Sequence, residues 1–445
     1  MELYLFAVVL LLALAVSHLI VGVSNDAVNF LNSSIGSRVA PRHVIMIIAS
    51  LGILAGVTFS SGMMEVARKG IFHPEYFYMP EIMTIFLAVM LTDILLLDLF
   101  NTFGLPTSTT VSIVFELLGA AVATSLIKIY KGGESFLSLA NYINTQKALA
   151  IILGILLSIV LAFFFGMVVQ FISRLIFTFD YEKRLRRYGA LWGGFALSLI
   201  IYFIVVKGSK GASFITPQTA AWIKTHTGSV LLWSFVGSAL ILQLVMSFFQ
   251  VNILKPIVLI GTFALAMAFA ANDLVNFIGV PLAGMTSFHL AQQNALPLET
   301  LMKSLQEPIQ TNTYLLLVAG AVMVGTLWLS RKARSVTETE IRLGRQDEGI
   351  ERFGSSHLSR TIVRMVSSLF EAFRRILPRL WRRRIARRHD PKLFSPDLSL
   401  HDSMTYFDLL RASVNLIVAS ALVSFETSLK LPLSTTYVTF MVAMG

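Results

Sequence analysis

The sequence predicts an all-α, polytopic membrane protein with two inverted-topology repeats, broken or re-entrant helices at the midplane and about 11 spans. Three observations carry that expectation: an apolar composition, a series of apolar runs of membrane length, and two polar motifs that each occur twice. Of 445 residues, 55% are hydrophobic and 14% charged, and the mean hydropathy is +0.73. A soluble domain of this length needs more charge to cover its surface. There is no cysteine, which excludes disulfides, thiolate metal sites and cysteine nucleophiles.

Apolar runs of about 20 residues suffice to cross a ~30 Å hydrocarbon core. They place candidate helices near 3–23, 42–63, 82–100, 107–130, 148–173, 189–207, 229–251, 256–279, 313–330 and 408–425. An eleventh run begins at Leu433 and is still apolar at Gly445, so the segment is expected to be cut short there. The first run starts almost at Met1, with Glu2 in place of a basic region and a polar motif in place of a small-residue cleavage site. It reads as a retained span and not as a signal peptide.

The net charge of +11 is concentrated in one place. Arg331–Thr405 holds 17 Lys and Arg against 9 Asp and Glu, whereas the rest of the chain holds 19 against 16. Cytoplasmic retention by the positive-inside rule explains such a loop better than nucleic-acid binding, so no nucleic-acid partner is expected. Arg38 and Arg42, the Arg174–Arg187 stretch and the long loop all fall on the inner side if the N-terminus lies outside. The expected location is the inner (plasma) membrane. Within the loop, Ile362, Val366, Leu369, Phe373, Ile376, Leu377 and Leu380 follow helical spacing among arginines. That suits an interfacial helix on anionic lipid, kinked at Pro378, with a merely solvated loop as the alternative.

Two motif pairs define the repeat. Asn25-Asp26-Ala27-Val28-Asn29-Phe30 recurs as Asn272-Asp273-Leu274-Val275-Asn276-Phe277. Leu105-Pro106-Thr107-Ser108-Thr109-Thr110 recurs as Leu431-Pro432-Leu433-Ser434-Thr435-Thr436. Asp26 and Ser108 are 82 residues apart and Asp273 and Ser434 are 161, a difference of 79 that the 75-residue basic loop accounts for. Seven spans separate the two Asn-Asp copies, and an odd number reverses orientation, as in many secondary transporters. The domain limits follow: 1–147 for the first repeat, 148–254 for intervening helices, 255–330 for the first part of the second repeat, 331–405 for the basic loop, and 406–445 for the truncated remainder.

The motifs carry chemistry suited to small ions. A carboxylate at membrane depth survives only beside a partner or a wet cavity. Asp26 and Asp273, with the amide oxygens of Asn25, Asn29, Asn272 and Asn276, are oxygen ligands that suit a hard cation such as sodium. The competing reading is polar glue between helices. Pro-x-Ser-Thr-Thr is a helix-start signature, and a helix that starts inside the membrane aims free N–H groups and a positive dipole end at the cavity. That favours an anion, with ordinary capping as the alternative. Asp93, Asp98, Glu116 and Glu426 are further intramembrane acids whose roles the sequence does not rank. No phosphate-loop motif, His-x-x-x-His pair or Gly-x-Ser-x-Gly elbow occurs, so neither ATP-driven transport nor an enzyme is expected.

At these residues the chain resembles the inorganic phosphate transporter family, whose two signatures read roughly Gly-Ala-Asn-Asp-Val-Ala-Asn-Ala, each followed by Pro-x-Ser-Thr-Thr. The resemblance implies an inverted-repeat fold of about twelve spans and cation-coupled import of phosphate. It assigns sodium to Asn25, Asp26, Asn272 and Asp273, and the motif chemistry adds Asn29 and Asn276 to the expected sodium ligands. It assigns phosphate to Ser108, Thr109, Thr110, Ser434, Thr435 and Thr436. Ser24, Val28, Phe30, Val275 and Phe277 replace small residues of the signature, and Val111 and Tyr437 stand where many members have His. Sulfate or another oxyanion stays open as the substrate, protons as the coupling ion, and a sensor or scaffold acting through the basic loop as a different class. No cofactor is expected beyond the coupling ions. The expected partners are inorganic phosphate and membrane lipids, with a homo-oligomer left open.

Overall fold

The structure is a computed structural model that describes residues 1–58, 70–211, 216–249, 252–306, 313–346, 354–376, 378–390, 393, 405–428 and 434–445. Among these residues the fold is all helical. Extended pairing is confined to isolated antiparallel bridges, Phe72 with Ile143 and Tyr78 with Leu301.

Helix α1 (Glu2–Asp26) passes into α2 (Val28–Gly36) through Ala27, whose right-handed conformation (φ −55°, ψ −26°) lets the two run on as one apolar stretch. Next come α3 (Arg42–Thr58), α4 (Met79–Thr102) and α5 (Thr109–Gly132). A single turn, α6 (Leu139–Tyr142), leads into α7 (Thr145–Phe177) and α8 (Tyr181–Gly211). The short α9 (Pro217–Thr225) precedes α10 (Thr227–Phe249) and the 39-residue α11 (Leu254–Gln292). Then α12 (Thr313–Leu329) bends by 68° at Ser330 into α13 (Arg331–Leu343). The chain closes with α14 (His357–Ile376), α15 (Arg379–Arg388), α16 (Leu409–Ser428) and α17 (Thr435–Met444).

The described part of each apolar run falls mainly on one of these helices; residues 59–63, 250–251 and 433 of the runs lie outside the described residues. Among the described residues six helical stretches are long and apolar enough to cross a membrane, or seven if α12 and α13 count as one bent span. The helices α3, α16 and α17 are apolar but shorter.

The helix α11 is the spine. It packs against α3, α1, α16 and α4 and supplies residues to all three buried hydrophobic clusters. Lipid tails are as apolar as Leu, so helices here associate through close packing of small residues. Gly56 shows how close: a Cβ added to it would lie 2.2 Å from the Met267 carbonyl oxygen and 2.9 Å from the Ala270 Cβ. The backbones of α3 and α11 are in contact, and a side chain at residue 56 would part them.

The basic loop divides into two parts. Its first helix, α13, is buried against α1, α2 and α4 through Val336, Glu340 and Ile341. Beyond it come α14 and α15, with Pro378, named for a kink, at the N-cap of α15. Ile362, Val366, Ile376 and Leu380 are exposed, while Leu377 and the side chains of Leu369 and Phe373 lie outside the described residues. Two contacts tie the end of α15 to α7: His389 stacks on Phe171 at 4.6 Å, and the Arg388 guanidinium donates to the Leu175 carbonyl.

Candidate ion and anion site

Four segments converge in the interior. Asn25 and Asp26 end α1, Asn29 lies in the first turn of α2, and Asn272, Asp273 and Asn276 lie mid-way along α11. The helices α5 and α17 both begin there, each capped by the serine of its motif. Ser108 Oγ accepts from the Val111 N–H at 3.1 Å, and Ser434 Oγ accepts from the Tyr437 N–H at 3.0 Å. A proline that cannot continue a helix, followed by a capping hydroxyl, explains the start of α5. Leu431, Pro432 and Leu433 of the second copy lie outside the described residues.

The two copies exchange partners. Asp26 accepts hydrogen bonds from Thr109 Oγ1 (2.6 Å) and Thr436 Oγ1 (3.1 Å). Asp273 accepts from Thr435 Oγ1 (2.7 Å) and Thr110 Oγ1 (3.2 Å). Each carboxylate thus takes the first threonine of its own repeat and the second threonine of the other. The amides follow the same rule: Asn29 Nδ2 donates to Thr436 Oγ1 and Asn276 Nδ2 to Thr110 Oγ1, both at 3.0 Å. The capping serines also meet: Ser434 Oγ donates to Ser108 Oγ at 2.6 Å. All of these side chains are buried, and Asp26 and Asp273 lie within electrostatic reach of each other.

Asn25 does a different job. Its Nδ2 donates to Asn101 Oδ1 (2.8 Å) and the Leu105 carbonyl (3.0 Å), and its Oδ1 accepts from the Thr107 N–H (2.8 Å). It holds the non-helical turn before α5 in place. Asn272 is half-buried and makes a polar interaction of its own. Asn101, which also donates to the Val21 carbonyl at 2.8 Å, escaped the sequence reading. So did Thr439, which donates to Asn29 Oδ1 at 3.2 Å, and His18. Each is a polar residue on a largely apolar helix, and each has a partner 75 or more positions away. Of the unranked acids, Asp98 pairs with Lys332 at 2.6 Å, Asp93 and Glu116 meet at Ser112, and the side chain of Glu426 lies outside the described residues.

Two buried carboxylates surrounded by hydroxyl oxygens, with the Asn29 and Asn276 amides turned in by their Nδ2 atoms, form a donor set suited to a hard cation. Two helix starts, capped by serines in contact, turn N–H groups and positive dipole ends toward the same place. An all-helical integral membrane protein with such a duplicated interior site is, by class, a transport protein. Residues 22–342 match the phosphate transporter family, and the chain belongs to that family, which is one of transporters and not of enzymes. Among its relatives are proteins provisionally named phosphate permeases. That of Pyrococcus furiosus is 26% identical over 269 residues, or 58% of this chain and 60% of the relative. That of Pyrococcus abyssi is 27% identical over 267 residues, and that of Thermococcus kodakarensis 24% over 262, each covering 58% of this chain and 61% of the relative. The chain spans about three fifths of the length of these curated relatives. A solved structure described as a sodium-dependent phosphate transporter shares the fold, with a TM-score of 0.63, 18% identity, and coverage of 99% of this chain and 88% of its own.

Proposed function

We propose that this protein imports inorganic phosphate across the membrane, driven by a cation gradient in which sodium is the favoured ion. The observation that carries the reading is the exchange of hydroxyl donors between Asp26 and Asp273 across the two repeats. Asp26, Asn29, Thr109 and Thr436 offer one oxygen cage, and Asp273, Asn276, Thr435 and Thr110 its counterpart. Asn25 and Asn272 complete the two copies, Asn25 by fixing the turn before α5. Phosphate would lie against the starts of α5 and α17, on their free amides and on the hydroxyls of Ser108, Thr109, Thr110, Ser434, Thr435 and Thr436. Coupling then follows from charge: an oxyanion is repelled by two buried carboxylates until cations neutralise them. As cations take over the carboxylate oxygens, the threonine hydroxyls are freed to donate to the anion.

The wider architecture belongs to the same proposal. The two repeats run through the membrane in opposite senses, in about 11 spans within this chain, with 148–254 between them and 331–405 inserted into the second. The N-terminus lies outside and the basic loop inside, where α14 and α15 rest on anionic lipid. The names of the relatives support phosphate as the substrate, and the shared fold of a sodium-dependent phosphate transporter supports sodium.

The test is uptake of labelled phosphate into proteoliposomes, with sodium and proton gradients imposed separately and sulfate as competitor. Sodium-driven uptake that excess sulfate leaves unchanged is expected. Equal competition by sulfate would widen the substrate to oxyanions in general, and no uptake of either anion would leave the scaffold reading.

A further inference from the structure

A second polar chain runs beside the paired clusters. It links His18 on α1, Asp93 on α4, and Ser112 and Glu116 on α5. His18 Nδ1 lies 3.3 Å from the Phe277 carbonyl oxygen, and a carbonyl only accepts, so Nδ1 carries a proton. His18 Nε2 lies 2.6 Å from Asp93 Oδ2, and neither atom has a hydrogen-bonding partner elsewhere among the described residues. Two bare lone pairs repel at that distance, so a proton lies between them. Ser112 Oγ meets both Asp93 Oδ1 and, at 2.9 Å, Glu116 Oε1. One hydroxyl hydrogen satisfies one of those contacts; the other needs a proton on a carboxyl.

The count is then fixed. Four links need four protons, of which Ser112 and a neutral imidazole bring one each. The other two are held among His18, Asp93 and Glu116, and they make the chain neutral overall. Neutrality is the state that a dry, apolar surrounding favours.

Repeat packing does not require this chain. The Asn-Asp copies are offset by 247 positions and the Ser-Thr-Thr copies by 326. Six residues separate α4 from α5 and α16 from α17 alike, so the register carries back through the loop. In the second repeat Leu265 stands for His18, Ala419 for Asp93, Val438 for Ser112 and Val442 for Glu116, and all four are buried. The same architecture closes with aliphatic residues in one half and keeps three titratable groups in the other.

We propose that His18, Asp93, Ser112 and Glu116 form a proton-binding site that holds two protons while the anion site is filled and releases one as the pH rises, weakening anion binding. Asp93 lies within electrostatic reach of Asp26, and Ser112 follows Thr110 on α5. A proton lost from the chain therefore adds negative charge beside the clusters that receive the anion. Other charged groups lie on the surrounding helices, among them Arg331, Arg334, Glu338 and Arg342 on α13, Lys131 on α5 and Lys255 and His289 on α11. Asp26 on α1 and Asp273 on α11 belong to the paired clusters; Asp98 is closed by Lys332 from α13, and Glu81 on α4 by Lys128 on α5; Glu340 on α13 faces Asn32. On α6, Tyr142 donates to Glu134 at the far end of α5.

The protonation arm of the test rests on the count alone; the affinity arm rests also on the phosphate reading. In the first, nitrogen-15 spectra of the full chain with labelled histidines are compared with those of His18→Gln, and infrared spectra with those of Asp93→Asn/Glu116→Gln. A His18 ring protonated at Nδ1 throughout, together with a carboxylic-acid band at neutral pH that the double variant reduces, is expected. Identical infrared spectra would overturn the site. In the second, phosphate affinity is followed against pH in both proteins, so that the titration of phosphate itself divides out. The wild type should lose about tenfold in affinity per pH unit above the midpoint, relative to a level double variant. Parallel curves would overturn the linkage. A wild type that binds no phosphate would end the phosphate reading and leave the protonation arm standing. Should the double variant fail to fold, Ser112→Ala keeps every charge while cutting the chain, and an unchanged midpoint in that variant would also sink the proposal.

Discussion

In the amino-terminal half the Asn-Asp motif falls where α1 meets α2, with Asn25 clamped to Asn101 and to the turn before α5. In the carboxyl-terminal half the same motif sits inside uninterrupted α11, and Asn276 donates to Asp273 of its own helix at 3.1 Å. Asn29 receives a hydroxyl from Thr439, whereas the matching position in the first half is the apolar Ile113. What both halves share is the pairing of each carboxylate with one threonine of its own repeat and one of the other. The comparison separates the contacts that two copies keep from those that only position one copy, and under the proposed function the former would handle the ions.

The largest expected effect tests whether the halves are equal. Asp26→Asn and Asp273→Asn each keep an oxygen ligand and similar volume but lose the charge. Disrupting a buried charged network costs ~3–5 kcal/mol, so sodium-driven uptake should fall by roughly 10²- to 4 × 10³-fold in both, at near-normal expression. A severe loss in one variant and none in the other would show that the site is used on one side only. Next comes the crossing itself. Thr436→Ala and Thr110→Ala remove the donors that cross between repeats. Hydrogen bonds to charged groups are worth ~1.5–3 kcal/mol, so cation affinity should drop ~10- to 150-fold. In double-mutant cycles Thr436 should couple to Asp26 and add independently with Asp273; the reverse pattern would break the assignment.

A third test addresses the joint between halves. Gly56→Ala forces apart α3 and α11 and should cost ~1–3 kcal/mol of stability in a detergent-denaturation assay, as overpacking does. Gly325→Ala on α12, where no atom lies within 4 Å of the new methyl group, serves as the neutral control. The smallest effect belongs to the caps. Ser108→Ala and Ser434→Ala should each cost ~1 kcal/mol of stability, and the Gly variants only a few tenths. If the hydroxyls also hold phosphate, Ala and Gly should weaken its binding alike by at least about tenfold. Binding that Gly preserves and Ala destroys would mean that the backbone amides alone hold the anion.

Much of this was legible in the sequence because the same residues appear twice at related spacings. The repeat gave Asp26, Asp273 and both Ser-Thr-Thr segments as a group, and the apolar runs located the long apolar helices such as α1, α4, α5, α7 and α11, but not the short α6 and α9. What was hidden has a common cause. Asn101, Thr439 and His18 are single polar residues on apolar helices, and nothing local distinguishes a packed one from a partnered one. Their meaning depends on contacts over 76, 410 and 259 positions respectively. Nor did periodicity separate α13, buried under α2, from the exposed α14 that follows it in the same basic loop.

The reach of α11 bears on how the protein is made. At 39 residues it is about 58 Å long, and it contributes Phe269, Phe277 and Leu282 to one cluster, Val280 and Phe288 to a second, and Ile257 and Met267 to the third. Every helix upstream of it emerges from the ribosome before the surface that will fill its core exists. Until α11 has been synthesised the first half lacks the surface that fills its core, and the paired clusters wait longer still, because Thr435 and Thr436 arrive only with α17. The order of synthesis thus leaves the first half an unfinished guest of the membrane, and the interior closes in two steps, with α11 first and α17 after it.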